Sequence, residues 1–284
     1  MTLQKQYYYG KASSLLEAIE RNIGFDEKSG LIKDGSSEGV FLDTFENSSL
    51  GIAYVLQGRD EQAQKILKGI EKYIGIDPKT GLFYNKKGLS EGESKKILPG
   101  EKTLYLSNQV LISALFWLLR DKEKSNELGE KFEREIGTFE FKADGKKYQI
   151  YRHGGDKDYF YPFNNLLVAI IKVVGNEKNE AEGLVSDIKE ICFDNIGLLR
   201  ANPKDRVYYI LNNALLASYY AVTQRVDEAE KIISLLENKV GFDDITRLAY
   251  EGFTPRKKIK NILTYANSQL AITYLCLAGL FPKE

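Results

Sequence analysis

The feature that most constrains this 284-residue chain is an internal repeat. A turn motif recurs five times, each time after a helical stretch. Ile23-Gly24-Phe25-Asp26 runs into Ser29-Gly30-Leu31-Ile32, and Ile74-Gly75-Ile76-Asp77 into Thr80-Gly81-Leu82-Phe83. Ile136-Gly137-Thr138-Phe139 is a shortened form. Ile191-Cys192-Phe193-Asp194 runs into Ile196-Gly197-Leu198-Leu199, and Val240-Gly241-Phe242-Asp243 into Thr246-Arg247-Leu248-Ala249. A glycine after a helix supplies its left-handed cap, and an aspartate helps to form the next turn. A second marker, an Asn followed three residues later by Leu, reads as a helix start. It occurs at Asn47, Asn108, Asn164, Asn212 and Asn267, in steps of 48 to 61 residues. Such a period is the signature of a stacked helical-repeat architecture.

The two markers bracket two kinds of helix. Those starting at the Asn markers are apolar on nearly every side, as in Leu111-Ile112-Ser113-Ala114-Leu115-Phe116-Trp117, and have to be buried all round. Those that follow are amphipathic: Ala63, Ile66, Leu67, Ile70 and Ile74 share one stripe, as do Leu184, Ile188 and Ile191, and Ile232, Leu235 and Leu236. Their other faces carry Lys and Glu. This alternation predicts an inner layer of helices wrapped by an outer one. Links from inner to outer helix are tight, as in Gln57-Gly58-Arg59-Asp60. Links from outer to inner are long and rich in aromatics, which is where function usually sits on a rigid scaffold. An outer-type helix is expected over about Ala12 to Ile23, and an inner-type helix over about Asn261 to Leu280. Together they close a single all-α domain, residues 1–284, of five inner and five outer helices with short extended pieces in the loops.

On the repeated Gly-Leu-Phe turn, the Asn-x-x-Leu starts and the alternation of long and short loops, the chain resembles the α/α-toroid superfamily, also called six-hairpin-glycosidase-like. The resemblance spans nearly the whole chain but fixes no one family, and five hairpins depart from the usual six. It implies a pocket lined by the loops that lead into the inner helices. It also implies activity on sugars, as hydrolase, lyase or epimerase.

Composition narrows the field. Lys plus Arg and Asp plus Glu number 40 each, so no net charge favours nucleic acid or an anionic membrane as a partner. With one His and two Cys, a zinc site of the usual kind is not expected, nor is any other metal or cofactor. Cys192 and Cys276 lie in apolar stretches and read as reduced core thiols. The stretch from Ile262 to Phe281 is interrupted by Asn267, Ser268 and Gln269 and reads as a buried helix. Met1 to Gln6 has no apolar signal region, so a cytoplasmic protein is expected.

The repeat shows where symmetry breaks. Four residues before the Asn markers stand Asp43, Leu104, Phe160, Tyr208 and Leu263; one before stand Glu46, Ser107, Phe163, Leu211 and Ala266. On this alignment the first repeat alone carries carboxylates. Glycoside hydrolysis needs two, so Asp43 or Glu46 is a candidate, paired with Asp158, Asp205 or Glu251 from another loop. The same two acids also read as N-terminal caps on a helix dipole. Further loop acids are Glu38, Glu101 and Asp156. His153, the one histidine, with Tyr151 and Arg152 suits β-elimination on a uronic-acid polymer, or is a surface loop residue. A single histidine argues against the epimerase branch. Tyr105, Tyr151, Tyr161, Tyr209 and Tyr250, with Arg152, are candidate contacts for a sugar, since a Tyr ring offers a face to stack on and a hydroxyl to bond; packing between inner helices is the alternative. The expected ligand is a small molecule or oligosaccharide. The expected activity is acid–base hydrolysis at the N-terminal ends of the inner helices, with a lyase or a non-catalytic scaffold as alternatives. The sequence assigns no oligomeric state.

Overall fold

The computed structural model describes residues 1–36, 39–88, 103–154 and 160–281. The chain falls into two compact units. The larger holds Met1–Ile19, Thr138–Tyr151 and Asp158–Glu284, and the smaller holds Glu20–Gly137 and Arg152–Lys157.

In the smaller unit the buried helices α2 (Thr44–Leu56) and α4 (Leu106–Leu118) lie side by side. They are backed by α3 (Asp60–Gly69) and α5 (Lys122–Glu135). A π turn, Ile70–Ile74, prolongs α3 and keeps Ile70 and Ile74 on its buried stripe. Strands β1 (Lys33–Ser36), β2 (Gly39–Asp43) and β3 (Lys86–Gly88) form an antiparallel sheet in that order.

In the larger unit α6 (Pro162–Val174), α8 (Ile210–Val222) and α10 (Thr264–Leu277) are the buried helices. Every residue of α10 except Tyr265 is buried. α7 (Lys178–Cys192) and α9 (Val226–Lys239) back them, each with a single apolar face. In α9 that face runs through Ile232, Ile233 and Leu236, with Leu235 half-buried at its edge. The first helix, α1, is longer than the sequence pattern suggests and runs over Leu3–Asn22. Its N-terminal part is clamped to α9 and α10: Lys11 Nζ lies 2.7 Å from both carboxylate oxygens of Glu237, and the Tyr274 hydroxyl donates to Glu237 Oε1 at 2.6 Å. Cys192 and Cys276 are buried free thiols, pushed up to about 12 by desolvation. Among the described residues no helix is long and apolar enough to cross a membrane.

Three of the recurrent turns close on their aspartate in the same way. Asp26, Asp77 and Asp243 accept the N–H and hydroxyl of Ser29, Thr80 and Thr246. These bonds hold the three carboxyls below the usual range. An isolated β-bridge completes four of the turns: Phe25 with Ile32, Ile76 with Phe83, Phe193 with Leu199, and Phe242 with Ala249. The third turn is not a shortened copy. There the bridge grows into a six-pair hairpin of β4 (Thr138–Ala143) and β5 (Lys146–Tyr151), with Asp144-Gly145 at its tip. Both tip residues have positive φ, the geometry a two-residue hairpin turn requires.

One amide in each inner helix ties that helix to its turn. Asn47 Oδ1 accepts the Ile32 N–H at 2.7 Å, and Asn47 Nδ2 donates to the carbonyls of Ile32 and Asp43. The equivalent acceptors for the N–H groups of Phe83, Tyr151, Leu199 and Ala249 are Gln109, Asn165, Asn213 and Asn267. This corrects the alignment drawn from sequence. In the middle three repeats the bridging residue is the second of two adjacent amides, so the Asn markers at 108, 164 and 212 stand one residue too early. In the true register the five N-caps are Asp43, Tyr105, Tyr161, Tyr209 and Leu263. Three residues on stand Glu46, Asn108, Asn164, Asn212 and Ala266. Glu46 is thus a carboxylate in a slot that three other repeats fill with the shorter amide Asn.

Candidate functional site

The N-terminal ends of the inner helices are stitched to the following loops. The first amides of α2, α4 and α8, on Thr44, Leu106 and Ile210, donate to the carbonyls of Asn85, His153 and Glu251. In α6 the same position is Pro162, which has no N–H to satisfy. Asn85, His153 and Glu251 therefore occupy one repeated slot, beside the N-cap of the preceding inner helix. The residue after two of them has to be glycine. A methyl group on Gly154 would fall on the Leu104 carbonyl oxygen and 3.0 Å from the Tyr105 Cα; one on Gly252 would fall on the Tyr208 carbonyl oxygen and 3.1 Å from the Tyr209 Cα. Gly252 also carries the pairing of β6 (Tyr208–Tyr209) with β7 (Gly252–Phe253), so the backbone approach that needs glycine also fixes Glu251.

In the larger unit a cleft of about 920 Å³ opens among the N-terminal ends of α6, α8 and α10, the loop after α7 and the tip of the β4–β5 hairpin. Aromatic rings wall it. Phe141 of the hairpin stacks on Phe160 at 5.0 Å between centroids, and Tyr161 lies 5.7 Å from Phe163. Tyr209 and Tyr265 add two more rings. Two of the sequence-predicted carboxylates line the cleft, Asp205 and Glu251. Asp205 is exposed and is held by Asn202, whose side-chain amide donates to Asp205 Oδ2 at 2.5 Å and whose Oδ1 accepts the Asp205 N–H. Glu251 is half-buried and accepts from Asn261 Nδ2 at 3.0 Å. Burial, reinforced by the negative charges of Glu251 and Asp205, raises the Tyr209 hydroxyl above its ordinary range and keeps it a donor. Both acids and Tyr209 thus line the same aromatic cleft.

The other predicted residues are placed as follows. Tyr161 and Tyr209 line the cleft. Tyr151 does not: it is buried at the end of β5, with its N–H on Asn165. Tyr250 does not either, because its hydroxyl reaches back 3.3 Å to the turn residue Asp243, as Tyr84 and Tyr208 do to Asp77 and Asp194. In the smaller unit Asp43 caps α2 by accepting the Glu46 N–H at 3.1 Å. Glu46 is 3 % exposed in the first turn of that helix. The His153 ring stacks on Tyr105 at 4.4 Å, and the Arg152 N–H donates to the Gly137 carbonyl. Asp158 lies outside the described residues, as do Glu38, Glu101 and Asp156.

Sequence reasoning missed Phe141, Phe160, Phe163 and Asn212 as cleft residues. The signal for Phe141 was present: Phe139-Glu140-Phe141 and Tyr148-Gln149-Ile150 alternate on either side of Asp144-Gly145, a strong hairpin pattern.

No protein-family model matches the sequence, and no curated protein matches it. Solved structures do match, at low sequence identity. A cold-adapted family 8 xylanase superposes with a TM-score of 0.63 at 10% identity, covering 99% of this chain and 92% of that one. A family 8 endo-β-1,4-glucanase from an Achatina fulica gut metagenomic library gives 0.59 at 12% identity, over 93% and 96% of the two chains. A cellobiose 2-epimerase from Bacillus thermoamylovorans gives 0.58 at 12% identity, over 94% and 86%. The repeated buried and half-buried helices thus share the α/α-toroid fold of these structures.

Proposed function

We propose that the chain is a carbohydrate-active enzyme that hydrolyses glycosidic bonds in the cleft of the larger unit, with Glu251 and Asp205 as its carboxylate pair. The observation that carries this reading is that Asp205 and Glu251 line one cleft walled by aromatic rings. Aromatic faces match the C–H faces of a sugar ring, and two carboxylates are what glycoside cleavage requires. Glu251, fixed by Gly252 and by Asn261, protonates the departing glycosidic oxygen. Asp205, on the solvent side, serves as base to a water or as nucleophile at the anomeric carbon. The fold's likeness to a xylanase, a glucanase and a cellobiose epimerase agrees with an oligosaccharide ligand.

The lyase alternative draws on His153, Arg152 and Tyr151, of which Tyr151 is buried away from the cleft. Product chemistry separates the two readings. Incubating the purified protein with neutral and uronate oligosaccharides is expected to release new reducing ends with no near-ultraviolet absorbance. An unsaturated, absorbing product would replace hydrolysis by elimination.

A further inference from the structure

Asn212 has no part in the bonding that holds the repeats together. Its neighbour Asn213 makes the bridge to Leu199 and Tyr209, while the Asn212 side chain bonds to no group among the described residues. Asn212 is 3 % exposed and lines the cleft, and its amide atoms are not among the polar atoms sealed from solvent. An amide that opens on a cleft and bonds to no protein group is completed there by water or by a ligand. An amide carries both a donor and an acceptor, which is the complement of a sugar hydroxyl; a carboxylate can use only its donor half.

The charges in the cleft point the same way. Among the described lining residues Lys142, Arg200 and Lys204 stand against Asp144, Asp205 and Glu251, so their formal charges cancel. The one arginine is already committed. Arg200 Nη1 donates to the Pro203 carbonyl at 2.7 Å, and Nε and Nη2 donate to the carbonyls of Cys192 and Ile191. It thus caps the end of α7, with three of its five donors, one on each nitrogen, already given to carbonyls rather than presented to a substrate carboxylate. Lys142 lies 3.7 Å from Glu140. Lys204 remains, exposed and next to Asp205, where solvent screens it.

We infer that the cleft takes an uncharged sugar, and that the Asn212 amide reads one of its hydroxyls as a specificity-determining contact. This rests on the carbohydrate reading of the cleft and adds the class of sugar to it. A substrate carboxylate placed here would meet Asp205 and Glu251, with the lining arginine already turned to the end of α7.

The test is calorimetric titration of the full chain and of Asn212→Ala. The probes are neutral trisaccharides (β-1,4-linked glucose, α-1,4-linked glucose and β-1,4-linked xylose) and trigalacturonate. At least one neutral trisaccharide is expected to bind ten times or more tighter than the uronate, and Asn212→Ala to weaken that binding by about tenfold, the worth of one buried hydrogen bond. The melting temperature of Asn212→Ala is expected to be unchanged or higher, because no bond within the protein is lost. Preference for trigalacturonate, with its hydrolysis still dependent on Glu251, would overturn the inference and leave the hydrolase reading standing. A lowered melting temperature with unchanged affinity would make Asn212 structural. Failure of every saccharide to bind would overturn the carbohydrate reading and the inference together.

Discussion

Glu251→Gln is expected to lower kcat on a cleaved oligosaccharide by about 10²–10⁴-fold, the range that general acid–base catalysis contributes, with KM changed by only a few-fold. Glutamine keeps the size of the side chain and can still bond to Asn261, but it cannot deliver a proton to a departing oxygen. Asp205→Asn is expected to cause a loss of the same order, because the opposite face of the sugar then lacks its base. The two losses are not expected to multiply in the double variant, since groups that act in one step lose their effect together. The backbone of this region is set by the Ile210 N–H on the Glu251 carbonyl and by the close approach of Gly252 to Tyr208, neither of which the substitutions touch. Unaltered melting temperatures with reduced kcat would therefore report chemistry rather than folding. Wild-type turnover in both single variants would remove these acids from the mechanism. Glu46→Gln in the same assay asks whether the buried carboxylate of the smaller unit takes part.

The second large effect is on stability. Asn213→Ala removes three hydrogen bonds at once: from the Leu199 N–H at 2.7 Å, and to the carbonyls of Leu199 and Tyr209 at 3.0 Å each. Asn213 is fully buried, and so is Leu199, so the groups left behind have little access to water. With a penalty of about 1–3 kcal/mol for each buried group that loses its partner, partly relieved by local relaxation, the expected loss is about 3–5 kcal/mol. That corresponds to a fall of roughly 6–10 °C in melting temperature for a chain of this size. Asn213→Asp is expected to be no better, because its carboxylate would face two carbonyl oxygens where the amide donated. A loss under about 1 kcal/mol in chemical denaturation would mean that the helices are held in place by apolar packing alone, with the bridging amides dispensable.

The layered helices were legible because their burial is periodic. Leu111 to Trp117 leaves no polar face, while Ala63 to Ile74 leaves one, and no other arrangement buries both. The turns were legible because Gly and Asp are demanded by backbone geometry rather than by neighbours. The register at the helix starts was not. Asn108-Gln109, Asn164-Asn165 and Asn212-Asn213 each offer two amides in succession, and the one that bridges is decided by contact with a turn 14 to 26 residues earlier in the chain. That one-residue slip concealed the equivalence of Glu46 with Asn108, Asn164 and Asn212. It also hid Asn212 as a residue with a task of its own. Tyr250 and Tyr151 were misread for a related reason. An aromatic in a functional loop looks the same in sequence whether its hydroxyl meets a ligand or, like that of Tyr250, a turn aspartate. Asp205 and Glu251 were within reach of sequence because the loops before inner helices converge by construction. Tyr209, also a candidate from sequence, lines the same cleft.

The most direct measurement is a crystal structure of Glu251→Gln grown with an oligosaccharide that the wild-type protein cleaves. The account predicts sugar rings lying against Phe141, Tyr161 and Tyr209, with a glycosidic oxygen within hydrogen-bonding reach of residue 251. Sugar bound elsewhere on the molecule, with the aromatic cleft empty, would contradict it.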